Sequence, residues 1–286
     1  MALIAVGLAA IAGGIIGGQT GARASGTIGY TINDVGPFGG EPSIASDRNG
    51  VLYDTTPSGG GPLYRSTDRG VSWTSLKRGW TGSGDSCVAT DESNAVYWCN
   101  LSSQAESWKS TTAQTCTSTV CAWTEGVGTG PTCTVSGNTS CQPFMVDRQW
   151  EAASLGTATT TDGATAVLMY HDFFGNSEIW VNVSHDGGKT FGGPQAVLTG
   201  PGFSTDSVTG DILAEGFRIC NTVPAGVSIA PQNFPDGTHN PHAGRITVAW
   251  IAADAAQDAA GCNYSMFQSF HTLWVAYSDD GGSTWT

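Results

Sequence analysis

One short pattern occurs three times in the sequence and limits the folds that the chain can adopt: Ser-x-Asp-x-Gly-x-x-Trp or Phe. The copies cover residues 66–73, 184–191 and 278–285. In such a pattern the Asp carboxylate accepts hydrogen bonds from backbone N–H groups two or three residues on, which closes a turn. The glycine permits a positive φ angle, and the aromatic residue returns to the core as the next strand begins. Three copies predict three equivalent tight turns between strands.

The composition favours a protein built from strands. The sequence contains 40 glycines and only 12% charged residues. Thr, Ser, Val, Trp and Gly abound while helix formers are scarce, which favours many short strands and tight turns. The formal net charge of −13 argues against nucleic acid or an anionic membrane surface as a partner, because both need a basic face.

The three turns resemble the Asp-box, or bacterial-neuraminidase repeat, of sialidase-like β-propellers. In that family the box joins the third and fourth strands of a four-stranded antiparallel blade, and its Asp is mostly structural. The resemblance covers nearly all of residues 27–286 at the level of repeat architecture. It implies an all-β fold, a β-propeller of four-stranded antiparallel blades.

We expect about four blades. The first three units contain "EPSIASDRNGVLYDTT", "DSCVATDESNAVYWCN" and "RQWEAASLG". The second unit ends in "SWKSTTAQTCTSTVCAWTE", which resembles a box that has lost its Asp and Gly. The fourth runs from "FSTDSVTGDILAEGF" to the last box, with an insertion around residues 225–261. Sialidase-like propellers normally close with six blades, so the resemblance implies an incomplete ring. A four-bladed ring completed by an N-terminal strand is the alternative.

The N-terminus has the pattern of a secretory signal. Residues 1–24 form an apolar run that ends in Ala22-Arg23-Ala24, a small-residue cleavage pattern. We therefore predict a signal peptide over residues 1–24, one propeller domain over residues 25–286, and a secreted, extracellular protein. A permanent membrane anchor is the alternative, and membrane contact is expected only through an uncleaved signal.

Eight cysteines, an even number, fit an exported protein with disulfides. Cys87 and Cys99 flank a predicted hairpin turn, which suggests a cross-strand bridge. The sequence leaves the other connectivities open, and the simplest pairs are Cys116 with Cys121, Cys133 with Cys141, and Cys220 with Cys262. A zinc site is the alternative, but the sequence has no C-x-x-C pair.

Carboxylates occur at three successive predicted blade entries. If the boxes lie on one face of the propeller, the entries into the first strands gather on the opposite face, where propeller sites form. The candidate catalytic residues there are Glu41, Asp85 and Asp147. Glycoside hydrolysis needs carboxyl groups that converge on one bond, one as acid and another as base or nucleophile. The structural alternative is that these carboxylates cap turns or bind backbone amides.

Five further residues are candidates for substrate binding: Arg148, Trp150, His171, Asp172 and Arg218. Arg148 could bind an anionic sugar through a bidentate pair, or pair with a neighbouring carboxylate. Trp150 could stack on a sugar ring, or pack in the core. His171 and Asp172 resemble a base with an orienting acid, although adjacent strand residues point to opposite faces.

The resemblance implies a function on glycans. Catalytic sialidases carry an Arg-Ile-Pro motif near the first blade, and this chain has Glu41-Pro42 there. We expect an exo-sialidase-like or glycoside hydrolase-like protein whose partner is a glycan or glycoconjugate. The alternative, which the missing motif favours, is a non-catalytic propeller that binds a glycan or a protein partner at the cell surface.

No cofactor is expected. A calcium ion on the acidic face is the alternative, although the sequence lacks the ligand spacing of an EF-hand.

Overall fold

The computed structural model describes part of the chain in detail: residues 32–35, 40–57, 62–76, 84–101, 104–117, 121–128, 146–156, 158, 160–172, 179–198, 203–205, 212–214, 217–254 and 272–286. Nearly all of them belong to one compact unit, Asn33–Thr286. Its regular structure is strands, with one 3₁₀ turn at Thr161–Gly163. The all-β prediction is therefore confirmed for the described residues.

The first two sheets are antiparallel meanders in which each strand pairs with the next one in the chain. The first contains four strands, β1 (Ser43–Ser46), β2 (Leu52–Thr55), β3 (Leu63–Ser66) and β4 (Thr74–Ser75). The second contains β5 (Ser86–Thr90), β6 (Val96–Leu101), β7 (Ala105–Ser110) and β8 (Thr124–Glu125). The two predicted units at the start of the chain are confirmed as four-stranded sheets.

The third sheet repeats the plan with one addition. It contains β10 (Val146–Ser154), β11 (Thr165–Asp172), β12 (Ile179–Ser184) and β14 (Gln195–Ala196). Between its last two members lies β13 (Thr190–Phe191), which pairs in parallel with β9 (Val127–Gly128). This short parallel pair ties the third sheet to the segment that follows the second.

The fourth sheet differs from the prediction. It has five described strands, β15 (Phe203–Thr205), β16 (Ile212–Ala214), β17 (Phe217–Ile229), β18 (Ile246–Asp254) and β19 (Thr272–Ser278). The prediction of an insertion over residues 225–261 was wrong, because this segment contains the end of β17 and all of β18. The register of β17 shifts between Pro224 and Gly226, and these two residue types weaken a strand signal in a sequence.

The repeated turn has the same hydrogen bonds in all three copies. The serine hydroxyl donates to the aspartate carboxylate at 2.7–2.8 Å and accepts the glycine N–H at 2.8 Å, as in Ser66, Asp68 and Gly70. A hydroxyl six residues after the serine also donates to the carboxylate, at 2.5–2.7 Å. The box therefore contains a fifth defined position, Ser or Thr just before the aromatic residue.

The first two boxes follow the third strand of their sheet, as predicted, whereas the last follows the fifth described strand of its sheet. The first joins β3 to β4, the second follows β12, and the last follows β19. After the last box, Thr286 and Tyr277 exchange two backbone hydrogen bonds of 2.9 and 3.0 Å. The chain thus re-enters antiparallel pairing immediately after the turn.

The second sheet has the predicted degenerate box. Thr112 stands where the other boxes have Asp, and its N–H donates to the Ser110 hydroxyl at 3.2 Å. The Cys116–Cys121 disulfide closes the loop that follows. Cys87 and Cys99 are paired across β5 and β6 and are also bonded. The predictions for Cys133, Cys141 and Cys262 lie outside the described residues, as does the side chain of Cys220.

The predicted signal segment, residues 1–24, also lies outside the described residues. Among the residues that are described, no helix combines the length and apolar character needed to cross a bilayer.

Successive sheets pack against each other through apolar cores. The first core contains Tyr53 and Leu63 of the first sheet with Val88 and Trp98 of the second. The second contains Tyr97 with Leu168 and Tyr170, and the third contains Val181 with Val248 and Trp250. Strands β1, β5 and β10, which begin the first three sheets, and strand β17 of the fourth sheet are in contact in this order. The four sheets therefore follow one another in space as in the chain.

Polar contacts reinforce two of these boundaries. Arg65 on β3 donates through Nη1 to the carbonyl oxygens of Ala113, Gln114 and Cys116 at 2.8–3.0 Å. Asp91 accepts a 2.6 Å hydrogen bond from the hydroxyl of Thr161 in the third sheet. The turn of one sheet is thus hydrogen-bonded to its neighbour.

Gly187, which directly precedes the box glycine Gly188, should be hard to replace. Gly187 and Gly50 have φ angles of +73° and +77°, which cost about 1–2 kcal/mol for a residue with a side chain. A Cβ on Gly187 would also overlap the carbonyl oxygen of Thr161, whereas Gly50 and Gly193 have open space. We expect Gly187→Ala to lower the free energy of unfolding most, Gly50→Ala by about 1–2 kcal/mol, and Gly193→Ala least.

Denaturant unfolding of the three variants measures this order. Equal losses for Gly187→Ala and Gly193→Ala would contradict the assignment of the box as a rigid turn.

Candidate functional site

Four predicted site residues meet at the entry ends of the first strands. Glu41 precedes β1, Asp85 directly precedes β5, and Asp147 and Arg148 lie near the start of β10. We call Glu41, Asp85, Asp147 and Arg148 the rim cluster. Each is between about a quarter and two fifths exposed at the side chain, so the cluster is open to a ligand and still partly desolvated.

Arg148 connects the rim cluster across three sheets. Its Nη1 pairs with Oε1 of Glu41, and its Nε lies 3.9 Å from Oδ2 of Asp85. The strand register shifts between Asp147 and Trp150, so Arg148 lies on a β-bulge. Bulges re-aim side chains and are frequent near active sites.

The backbone at this ion pair is strained. Arg148 has a φ of 53° and Glu41 a φ of 49°, in the left-handed region that residues with side chains rarely occupy. Such residues persist where the surrounding structure fixes them, and they concentrate at functional sites. Two strained residues that pair with each other make the rim cluster a candidate functional site.

The environment of Asp85 favours the protonated carboxyl. Burial raises the pKa of Asp85 to about 6, together with the negative charges of Glu41 and Asp147, while Arg148 opposes the shift. The Gln149 side-chain amide donates to the Asp85 backbone oxygen at 2.5 Å, which holds the residue in place. Asp85 therefore keeps a proton to a higher pH than an exposed aspartate.

Asp147 has the opposite electrostatic environment. Burial raises its pKa, but the interaction with nearby His171, with help from Arg148, outweighs burial and lowers the pKa of Asp147. Oδ2 of Asp147 lies 3.6 Å from Nε2 of His171, and the two residues are opposed on β10 and β11. Asp147 is therefore ionised over the pH range in which Asp85 titrates.

Of the four other predicted residues, two have described side chains, and neither belongs to the rim cluster. His171 is completely buried and contacts Asp147, so it lies beneath the rim cluster rather than on the surface. The Trp150 indole N–H donates to the Pro224 carbonyl at 3.3 Å, and the ring packs with the second core. The side chains of Asp172 and Arg218 lie outside the described residues.

Glu151 does not join the rim cluster. Its side chain lies between the second and third sheets, where Oε1 accepts a 2.5 Å hydrogen bond from the Ser107 hydroxyl. Burial raises the pKa of Glu151 to about 8, and the Ser107 hydrogen bond only partly offsets this. Glu151 is therefore a buried, protonated residue of the sheet interface at neutral pH.

The positioning role of Gln149 could not be found from the sequence. It depends on the bulge, which turns Gln149 toward Asp85 and Arg148 toward Glu41. Nothing in the string "MVDRQWEAA" signals an extra residue in the strand.

Comparisons with known proteins give structural likeness alone. No protein-family model matches the sequence, and no curated protein matches it. The chain is similar to a crystal structure of a protein of unknown function from Dyadobacter fermentans, at 14% identity and a TM-score of 0.46, over 86% of this chain and 66% of that one.

Two enzymes of known structure are also similar to this chain at low identity. An α-L-arabinanase from Penicillium chrysogenum, complexed with arabinobiose, has 14% identity and a TM-score of 0.43, over 84% of this chain and 62% of that one. The NanB sialidase of Streptococcus pneumoniae has 10% identity and a TM-score of 0.35, over 74% and 27%. This chain thus spans less than two thirds of these proteins, and likeness at this level assigns it neither an activity nor a substrate.

The electrostatic coupling of Asp85 to Glu41 and Arg148 can be measured. We expect Glu41→Gln to lower the pKa of Asp85, because a neighbouring negative charge is removed, and Arg148→Met to raise it, because a positive charge is removed. Carboxyl ¹³C NMR titration of Asp85 reads both shifts. Arg69→Met, in the first box at the other end of the sheet, is the matched control and should leave the pKa of Asp85 unchanged. An unmoved pKa in both rim variants would disprove the coupling.

Glu151 should make the protein less stable as the pH rises. The folded state holds this proton up to about pH 8, whereas an unfolded glutamate releases it near pH 4.3. The unfolded state therefore binds fewer protons between these values, and the free energy of unfolding falls as the pH rises through that range.

We expect Glu151→Gln to reduce this loss between pH 5 and pH 8, measured by urea unfolding. The control is Glu106→Gln on β7, at a partly exposed position. If the variant has the same pH dependence of stability as the parent, Glu151 is not a buried, protonated residue without an ion-pair partner.

Proposed function

We propose that the chain forms consecutive blades of a secreted β-propeller that hydrolyses a glycosidic bond at the rim cluster. The observation that carries the proposal is a pair of neighbouring carboxyl groups whose environments move their pKa values apart, up to about 6 for Asp85 and down for Asp147. One carboxyl that keeps its proton beside one that is ionised is the pairing that glycoside hydrolysis needs.

The roles follow from the protonation states. Asp85 gives its proton to the glycosidic oxygen as the bond to the anomeric carbon breaks. Asp147 either takes a proton from the water that adds to this carbon, or attacks the carbon itself before water releases the sugar. His171, buried 3.6 Å from Asp147, positions that carboxylate. Arg148 and Glu41 hold Asp85 in the cluster.

The charge of the rim cluster supports a neutral sugar as the substrate. Arg148 is already paired with Glu41 and lies near Asp85, so its charge is largely compensated. With Asp147 ionised, the cluster has a negative balance that repels an anionic sugar. A sialoside needs free arginines, and the described part of the rim offers none, so the broader glycoside hydrolase reading is preferred to the exo-sialidase one.

The packing of the sheets supports a larger ring. Leu273 and Val275 on β19 are 64% and 58% exposed, whereas Ile179 and Val181, at the same distances before their box serine, are completely buried by the fourth sheet. A further blade would cover Leu273 and Val275 in the same way. The two disulfides suit an oxidising, extracellular compartment.

A second candidate function is non-catalytic binding of a glycan or a protein partner. The observation that favours it is the bridge from Arg148 to Glu41 and Asp85, since this bridge joins three sheets and also explains the cluster as a structural tie. In that case the rim would bind a ligand without turnover.

Hydrolysis is tested with methylumbelliferyl glycosides of neutral pentoses and hexoses and with the sialoside. We expect Asp85→Asn and Asp147→Asn to lower kcat by roughly 10²–10⁴-fold. The matched control is Asp54→Asn, because burial also raises the pKa of Asp54 to about 6 outside the cluster. Its activity should stay within a few-fold of the parent.

The pH profile gives an independent check. Activity should fall as the pH rises through the pKa of Asp85, because the acid loses its proton, and Arg148→Met should move this limb upward. Glycan binding without release of fluorophore would favour the second candidate, and turnover of the sialoside alone would reject the neutral-sugar assignment.

A further inference from the structure

A concave site lies at the other end of strands β1, β5, β10 and β17. Its volume is about 640 Å³, within the range of small-molecule sites. Four successive connections line it: Arg48 follows β1, Glu92 follows β5, Leu155 follows β10, and residues 231–237 follow β17. The rim cluster precedes or opens these strands, so the two sites lie at opposite strand ends. We call this second site the lower cavity.

Arg48 brings to the lower cavity a positive charge that forms no ion pair with the described residues. Its backbone N–H donates to Asn94 Oδ1 at 3.0 Å, but its guanidinium has no hydrogen bond or ion pair with any described residue. Two other exposed cations differ: Arg245 pairs with Asp279 and Lys189 with Asp162. In a chain of net charge −13, a free guanidinium at a cavity is a binding group for a carboxylate.

Glu92 also lines the cavity but forms no ion pair with Arg48. Its Oε1 accepts a 2.8 Å hydrogen bond from the Ser154 hydroxyl, and its Oε2 accepts a 2.5 Å hydrogen bond from the Leu155 N–H. Both oxygens are thus engaged by the cavity wall. The Glu92 carboxylate stabilises the connection after β10 and leaves the Arg48 guanidinium available.

Phe234 supplies a flat apolar surface in the same cavity. The residue is 43% exposed, although its backbone is fixed by hydrogen bonds of 2.8 Å to Thr238 and 2.9 Å from Gly237. A rigid, half-exposed aromatic ring can stack on the apolar face of a sugar. Gln232 and Asn233 line the cavity beside it, and their amides can donate to and accept from hydroxyl groups.

We propose that the lower cavity binds an anionic saccharide residue, namely a uronate. Its carboxylate pairs with Arg48, one face of its ring packs on Phe234, and its hydroxyl groups bond to the amides of Gln232 and Asn233. The site binds without chemistry and is independent of hydrolysis at the rim cluster. It would hold an acidic unit of a glycan while the rim cluster acts on a neutral one.

The test uses three probes that separate these contributions: methyl β-D-glucuronide, methyl β-D-glucoside and cyclohexanecarboxylate. Isothermal titration calorimetry on the full chain with Asp85→Asn prevents turnover at the rim. We expect the glucuronide to bind at least tenfold more tightly than the glucoside, which lacks the anion, and than cyclohexanecarboxylate, which lacks the hydroxyl groups.

Variants assign the binding to the lower cavity. Arg48→Gln and Phe234→Ala should each weaken glucuronide binding about tenfold or more, while Arg69→Gln, an exposed arginine outside the cavity, should leave it unchanged. Melting temperatures verify that all variants fold. Equal binding of glucuronide and glucoside, equal effects of Arg48→Gln and Arg69→Gln, or no binding of the glucuronide would each overturn the proposal. Hydrolysis at the rim by Arg48→Gln should equal that of the parent, whatever the outcome.

Discussion

The interaction on which the structure depends is the hydrogen bond from a box serine to its aspartate. This bond closes the third strand of a sheet, and the aromatic residue that follows is then returned to the core, where Phe191 and Trp285 are almost fully buried. The turn also touches the preceding sheet. A Cβ on Gly188 would lie 3.1 Å from the Tyr97 ring, and one on Gly282 would lie 2.9 Å from Val183. The glycine is therefore required both for its φ angle and for the packing of one sheet on the next.

This dependence gives the unit two ends that differ in their side chains. At the end that carries the turns, contacts are short and local, and they leave the concave lower cavity between successive connections. At the entry end, the chain enters each first strand with a carboxylate, and Arg148 draws these groups together. The same repeated sheet thus places polar residues from distant parts of the sequence at one edge, because first strands of successive sheets lie side by side.

The two carboxyl groups at the rim differ because of what surrounds them. Asp85 faces burial and two neighbouring negative charges, whereas Asp147 lies 3.6 Å from the buried imidazole of His171. Neither difference is a property of aspartate itself. It arises from the bulge at Arg148, whose strained backbone is fixed by pairing with the equally strained Glu41.

The sequence by itself determined the repeated unit. Local hydrogen bonding between Ser, Asp and Gly needs only neighbouring residues, so the boxes, the strands before them, the Thr112 variant and the two local disulfides were predictable. The meeting of Glu41, Asp85 and Asp147 was also predictable, because each occupies the same place in its unit.

Tertiary structure decided the rest. The bulge that aims Arg148, the burial of His171 and Glu151, the continuation of β17 through Pro224 and Gly226, and the lower cavity all depend on which sheet packs against which. Contacts between residues far apart in the chain set these features, and no local pattern encodes them.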